Sequence, residues 1–242
     1  MKRVGRSPRA LLLGALAIAA LWPAAAAAQP TANLDAIADL APACPSERTC
    51  IGIHLHVVVT DGEAVQSATW VATQLEEANR HFEPVGVGFE LAAVDALPDS
   101  FADIDTRDDR DRLGATRYSR GVVHVFVVRR LSNVDEEGVI RGVHWRWRKK
   151  TSARWVILSS IAPSTVLAHE LGHFFGLPHS TWDVSIMNKT PRAEPPAAER
   201  TFHSAEVRVM KVRKRAMISA AELTARKAGP VRSRPAAGTA PP

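Results

Sequence analysis

Cysteine is scarce in this 242-residue chain, which holds only Cys44 and Cys50. Neither lies in the small-residue stretch Ala24–Ala28, which argues against a lipid-modified cysteine there. Long apolar runs are equally scarce. Beyond Trp22 none approaches the roughly 20 residues that a membrane-spanning helix needs. No internal repeat recurs, no EF-hand spacing is present, and no RNA- or DNA-binding motif is found. Tyrosine occurs once, at Tyr118.

The ends differ from the middle. Lys2, Arg3, Arg6 and Arg9 precede the apolar run Ala10–Trp22 and the small residues Ala24–Ala28. That order reads as a signal peptide over residues 1–28, cut near Ala28–Gln29, and places the mature protein outside the cytoplasm, secreted or periplasmic. The formal net charge is +6. The leader carries four basic residues and no acid, and residues 206–242 carry nine basic residues and two glutamates. The segment between is therefore net negative, so the basic balance belongs to the ends and implies no specific nucleic-acid partner. The expected organisation is a linker or short pro-segment over 29–50, a main folded domain over 51–218, and a basic disordered tail over 219–242. In an oxidising compartment Cys44 and Cys50 are expected to pair as a local disulfide; a sharper alternative has one thiolate capping a metal in a latent form.

In chain order, a brief helix is expected at Leu34–Leu40, then a strand over Ile51–Thr60 ending at the turn signal Asp61-Gly62. His54 and His56 share one face of that strand. With no third ligand nearby in sequence, they read as its polar face. Trp70, Val71, Leu75, Ala78 and Phe82 recur at helical spacing within Gln66–Phe82. A strand starts at Val87–Leu91. The Asp/Arg-rich stretch 95–120 offers carboxylates to calcium, but its arginines neutralise them and Thr106–Asp109 reads as a helix cap, so calcium is not supported. Gly121–Val128 suits a strand buried on both faces, Val143–Arg148 alternates, and Trp155–Leu158 is short and apolar. Ser164 or Thr165 is the expected cap of the next helix, and Ser204–Ile218 is a basic helix with Val207, Met210, Met217 and Ile218 inward.

That capped helix opens on His169-Glu170-Leu171-Gly172-His173-Phe174-Phe175-Gly176-Leu177-Pro178-His179. Two histidines four apart lie on one helix face and can grip one metal ion. Glu170 points to a neighbouring sector, near the metal without being a ligand. Gly176 permits the sharp turn that brings His179 back as third ligand. Three neutral imidazoles leave one zinc position open, as in catalytic sites. Zinc there would acidify a water and polarise a carbonyl. Glu170 is the expected general base, taking the water's proton and passing it to the leaving amine.

This stretch resembles the elongated zinc motif of the metzincins, a clan of zinc endopeptidases, at His169, Glu170, His173, Gly176 and His179. The clan's methionine turn is matched by Met187. The eight-residue gap from His179 to Met187 is similar to the matrixins, while the flanks, with Phe82, Gly86, Phe89 and Val122–Val128, are similar to pappalysin-type bacterial members. The resemblance implies an α/β (α+β) zincin-like domain: a twisted mixed sheet, an active-site helix and a small C-terminal subdomain. It also implies one catalytic Zn2+ and protein or peptide substrates. There are departures. The tyrosine that some metzincins carry two residues after the methionine is Lys189 here, and neither a matrixin-like calcium and second-zinc segment nor a cysteine switch is recognisable.

The expectation is thus a secreted, monomeric zinc endopeptidase without a membrane span. A zincin-like binding protein without activity, or a zinc amidase acting on cell-wall peptides, is the alternative. In the clan an edge strand pairs with extended substrate, and Val143–Arg148 is the candidate, equally readable as a plain hairpin. As the substrate strand, its Arg146, Arg148, Lys149 and Lys150 would favour acidic peptides.

Overall fold

The alternation of β-branched runs with helical periodicity builds a mixed sheet flanked by helices, in a computed structural model that describes residues 32–227. The expected signal peptide, its cleavage point and residues 228–242 lie outside the described residues. Among the described residues there are five α-helices: α1 (Ala32–Leu40), α2 (Ala68–Phe82), α3 (Arg107–Ala115), α4 (Val166–Phe174) and α5 (Ser204–Ser219). The strands are β1 (Thr49–Thr60), β2 (Glu63–Ala64), β3 (Val87–Leu97), β4 (Asp103–Ile104), β5 (Val123–Val128), β6 (Arg130–Leu131), β7 (Gly142–Arg146), β8 (Arg154–Ser159) and β9 (Ala225–Lys227).

Strand β1 is the axis of the main sheet. β3 runs parallel along one edge, over Thr49–Val58. The other edge is shared by β9, β5 and β2 in succession. β8 pairs parallel with β5, and β7 closes the sheet antiparallel to β8. β4 and β6 form a separate two-stranded sheet. Because side chains alternate across a strand, β1 and β5 feed two cores. Ile53, Leu55, Val57, Val123, Val125 and Val127 pack with α2 and α4 through Leu75, Leu167, Ala168 and Leu171. Val58, Phe126 and Val128 pack on the opposite face with Leu113 and Trp155. Phe202, Val207, Met210 and Met217 bring the C-terminal part into the first core.

Both ends of the domain differ from the boundaries 51–218. Residues 29–50 are not a plain linker: Ile37 of α1 is fully buried, and Thr49 and Cys50 already pair in β1. At the other end Leu223 is buried and β9 pairs with the start of β1. The apolar signal there is one or two residues, and the rest is backbone pairing that composition does not reveal. Cys44 and Cys50 are disulfide-bonded, so neither is a free thiolate. The bridge sits against β3, where a Cβ on Gly88 would fall 2.7 Å from Cys44 Sγ. Arginines hold the acidic stretch, Arg129 and Arg130 on Asp103 and Arg130 on Asp105. Thr106 and Asp109 form a reciprocal capping box at α3.

Candidate active site

Helix α4 starts without help from its own cap. Thr165 makes no side-chain cap bond. Instead Gln74 of α2, almost wholly buried, accepts from the Leu167 N–H at 3.0 Å and donates to the Pro163 carbonyl at 2.9 Å. The orphan donor of a helix start is thus satisfied from a neighbouring helix. This anchors the active-site helix to the core, and a cap search confined to the local sequence misses it.

The helix ends as Gly176 takes φ +94°, a left-handed conformation that favours glycine. The Leu177 N–H bonds back to the Gly172 carbonyl, and the chain turns to present His179. A side chain at 176 would also meet Arg213 Nε at 2.9 Å. His169, His173 and His179 converge, one ring nitrogen from each lying within 4.8 Å of the others.

The hydrogen bonds select the tautomers. His169 Nδ1 lies 2.8 Å from the Ile186 carbonyl and His173 Nδ1 lies 2.7 Å from the Leu177 carbonyl. A carbonyl only accepts, so both Nδ1 atoms carry the proton and both Nε2 lone pairs face inward. His173 Nε2 and His179 Nε2 stand 3.3 Å apart. Two ligands on tetrahedral zinc at 2.0–2.1 Å would be separated by about 3.3 Å. The donor set therefore fits zinc. Burial lowers the His169 imidazole to about 4 and also depresses His173 and His179, keeping them neutral, the form that ligates.

Met187 is fully buried against the helix: a Cβ on Gly172 would fall 2.6 Å from its Sδ. Its turn has supports that motif reading misses. Ser185 Oγ accepts from the Met187 N–H at 2.9 Å and donates to the buried Glu206 carboxylate at 2.7 Å. Glu206 also caps α5 by accepting from the His203 N–H. Since the Ile186 carbonyl holds His169, this relay runs from α5 through the methionine turn to the histidine triad.

Glu170 is buried beside the triad. Burial pushes its carboxyl up to about 8, and the backbone N–H of His144 donates to it and pulls the other way. β7 can approach this closely because residue 142 is glycine: a Cβ there would meet Val166 Cγ1 at 2.7 Å and Glu170 Oε1 at 3.2 Å. Gly142, Val143, His144 and Arg146 form one wall of a cleft of about 440 Å³, with His169, Glu170, His173 and His179 opposite.

β7 is both a hairpin strand and a cleft edge. Ser159 N–H donates to the Arg141 carbonyl and Trp147 N–H to the Ala153 carbonyl. In an antiparallel ladder the odd-numbered residues therefore bond β8, and Gly142, His144 and Arg146 turn their backbone groups to the free edge. Trp145 and Trp147 pack into the second core. Arg148 is not available to a substrate, being paired with Asp108 and Asp111. Arg146 stays in the cleft, beside Arg154 and Arg213.

The triad, Glu170 and Met187 all lie within the part of the chain that resembles the matrixin family of peptidases. Residues 130–208, from β6 into α5, match the family model of the matrixins. The chain is similar to metalloproteinase-II from Bacteroides fragilis, with a TM-score of 0.47 and 12% identity over 71% of this chain and 54% of that one. It is also similar to archaemetzincin from Methanopyrus kandleri, with a TM-score of 0.46 and 16% identity over 68% and 96%. The chain thus spans about half the length of the Bacteroides protein. No curated relative matches the sequence.

Proposed function

We propose that the chain is an exported zinc endopeptidase in which Glu170 is the general base. The observation that carries this reading is the placement of Glu170: a buried carboxylate at the cleft floor, next to three inward-facing imidazoles and gripped by the cleft's edge strand. His169, His173 and His179 would hold the ion. Zinc bound there supplies a Lewis acid for a water and a carbonyl, and a positive field that favours ionised Glu170. Glu170 then accepts the proton of the attacking water and delivers it to the departing amine. The outward-turned groups of β7 align an extended peptide across the cleft by strand addition. Arg146 and Lys189, the latter near His179, supply positive charge on either side and favour acidic side chains in the substrate. The Cys44–Cys50 bridge supports an oxidising destination. Among the described residues no helix is long and apolar enough to cross a membrane.

The test is hydrolysis of unfolded proteins, a peptide library and cell-wall peptides, each with and without a chelator. Cleavage of proteins that stops with chelator and returns with zinc is expected, with enrichment of acidic residues near the cut. Cleavage of cell-wall peptides alone would move the assignment to an amidase. A folded, zinc-loaded chain that cuts neither would favour a binding protein.

A further inference from the structure

The two same-face histidines of β1 have a third partner after all. β5 lies beside β1 in parallel register, which places His124 opposite His54. One ring nitrogen each from His54, His56 and His124 lies within 4.8 Å of the others. The face they share continues into Val58, Phe126 and Val128, whereas α4 packs on the other. This cluster is therefore separated from the catalytic triad by the sheet itself.

We propose that His54, His56 and His124 form a second zinc site, with a structural role in tying β1 to β5. His56 Nε2 and His124 Nδ1 are 3.0 Å apart, near the separation of about 3.3 Å for two ligands on tetrahedral zinc. His54 Nε2 stands 2.7 Å from Asp95 Oδ2 on β3. A carboxylate accepts from that Nε2–H and leaves Nδ1 bare, the outer-shell arrangement common to metal-bound histidines. His124 Nε2 accepts from the Ser119 N–H at 2.9 Å and lies 3.2 Å from the Ser119 carbonyl, so ligation through Nδ1 requires the ring proton to move to Nε2 and bond that carbonyl.

Two further observations concern the buried ring of His56. His56 is 1% exposed, and its Nδ1 has no hydrogen-bond partner, with Asp95 Oδ2 at 3.7 Å. A proton on that Nδ1 faces the Asp95 carboxylate, which leaves the His56 Nε2 lone pair for an ion. Stacking of His56 on Phe126, with ring centroids 4.6 Å apart, fixes the ring in place. An ion has a way in, because the His54 and Asp95 side chains are 23% and 57% exposed. An all-imidazole set suits zinc over calcium or magnesium.

The experiment is zinc counting on the untagged chain after chelation, reloading and desalting. The expected result is two zinc per wild-type chain, one in His173→Ala, one in His54→Gln, and none in the double variant. Cobalt loaded into His173→Ala should give the visible absorption of a tetrahedral site. One zinc per wild-type chain together with none in His173→Ala would overturn the proposal. His173→Ala keeps the second cluster native, so the result does not depend on how His54→Gln folds. Hydrolysis is not the readout, so loss of the peptidase reading leaves this test intact.

Discussion

The two histidine triads of this chain are assembled by opposite routes. His169, His173 and His179 come from one helix and the glycine turn that ends it, within eleven consecutive residues. His54, His56 and His124 come from two strands brought side by side by a parallel crossover, with 68 residues separating His56 from His124. The first triad opens into a cleft beside a carboxylate that can move a proton. The second lies against Phe126 on the far face of the sheet, with Asp95 at its rim. Local geometry builds the triad of the proposed reaction, and tertiary geometry builds the one proposed to hold strands together.

Breaking the first triad should have the largest effect. His173→Ala is expected to abolish hydrolysis while the fold and the second zinc persist. Loss of both zinc ions from that variant would show that the triads are coupled. Gly142→Val comes next, because its side chain would press on Val166 and Glu170 without touching any ligand. A displacement of the base by about 1 Å should cost on the order of 10²-fold in kcat, with zinc content unchanged. Wild-type kcat in that variant would remove the role given to the close approach of β7.

Acid should weaken the frame that both triads share. Burial lowers His81 to about 4 and His144 to about 3, below the ordinary 6.5. The unfolded chain therefore binds these protons first, so stability falls as pH drops below about 6.5 and keeps falling towards the folded values. The slope is at most about 1.4 kcal/mol per pH unit for each histidine. Urea unfolding of the zinc-free chain between pH 7.5 and 4.5 measures it, and a flat profile would contradict the sign. The smallest effect belongs to the methionine turn. Ser185→Ala should cost about 1–3 kcal/mol, because it leaves the buried Glu206 short of a partner. It should lower activity more than it disturbs the second triad.

The contrast also explains what could be read in advance. The convergence of His169, His173 and His179, with Glu170 and Met187 beside them, was legible because a helix converts spacing into direction, and Gly176 announces the turn. Strands β1, β3, β5, β7 and β8 and helix α2 were legible by their periodicity, and the disulfide by the pairing expected of two cysteines in an oxidising compartment, whereas the two-residue strands β2, β4 and β6 are too short to show a pattern. His124 was not, since parallel register across a crossover leaves no local trace, and His54 and His56 alone read as a polar face. Gln74 capping α4 and the Ser185–Glu206 relay are tertiary in the same sense. Arg148 looked free for a substrate because its partners Asp108 and Asp111 lie on a helix about 40 residues upstream. β9 has almost no apolar signal, and it pairs antiparallel with the start of β1 over three residues.

The role of Glu170 is tested most directly by single-turnover hydrolysis with the wild type and Glu170→Gln at matched zinc content. General-base loss should lower the rate by about 10³-fold, with zinc binding and thermal stability retained. A Glu170→Gln rate within tenfold of wild type would contradict that role and, with it, the proposed chemistry of the cleft.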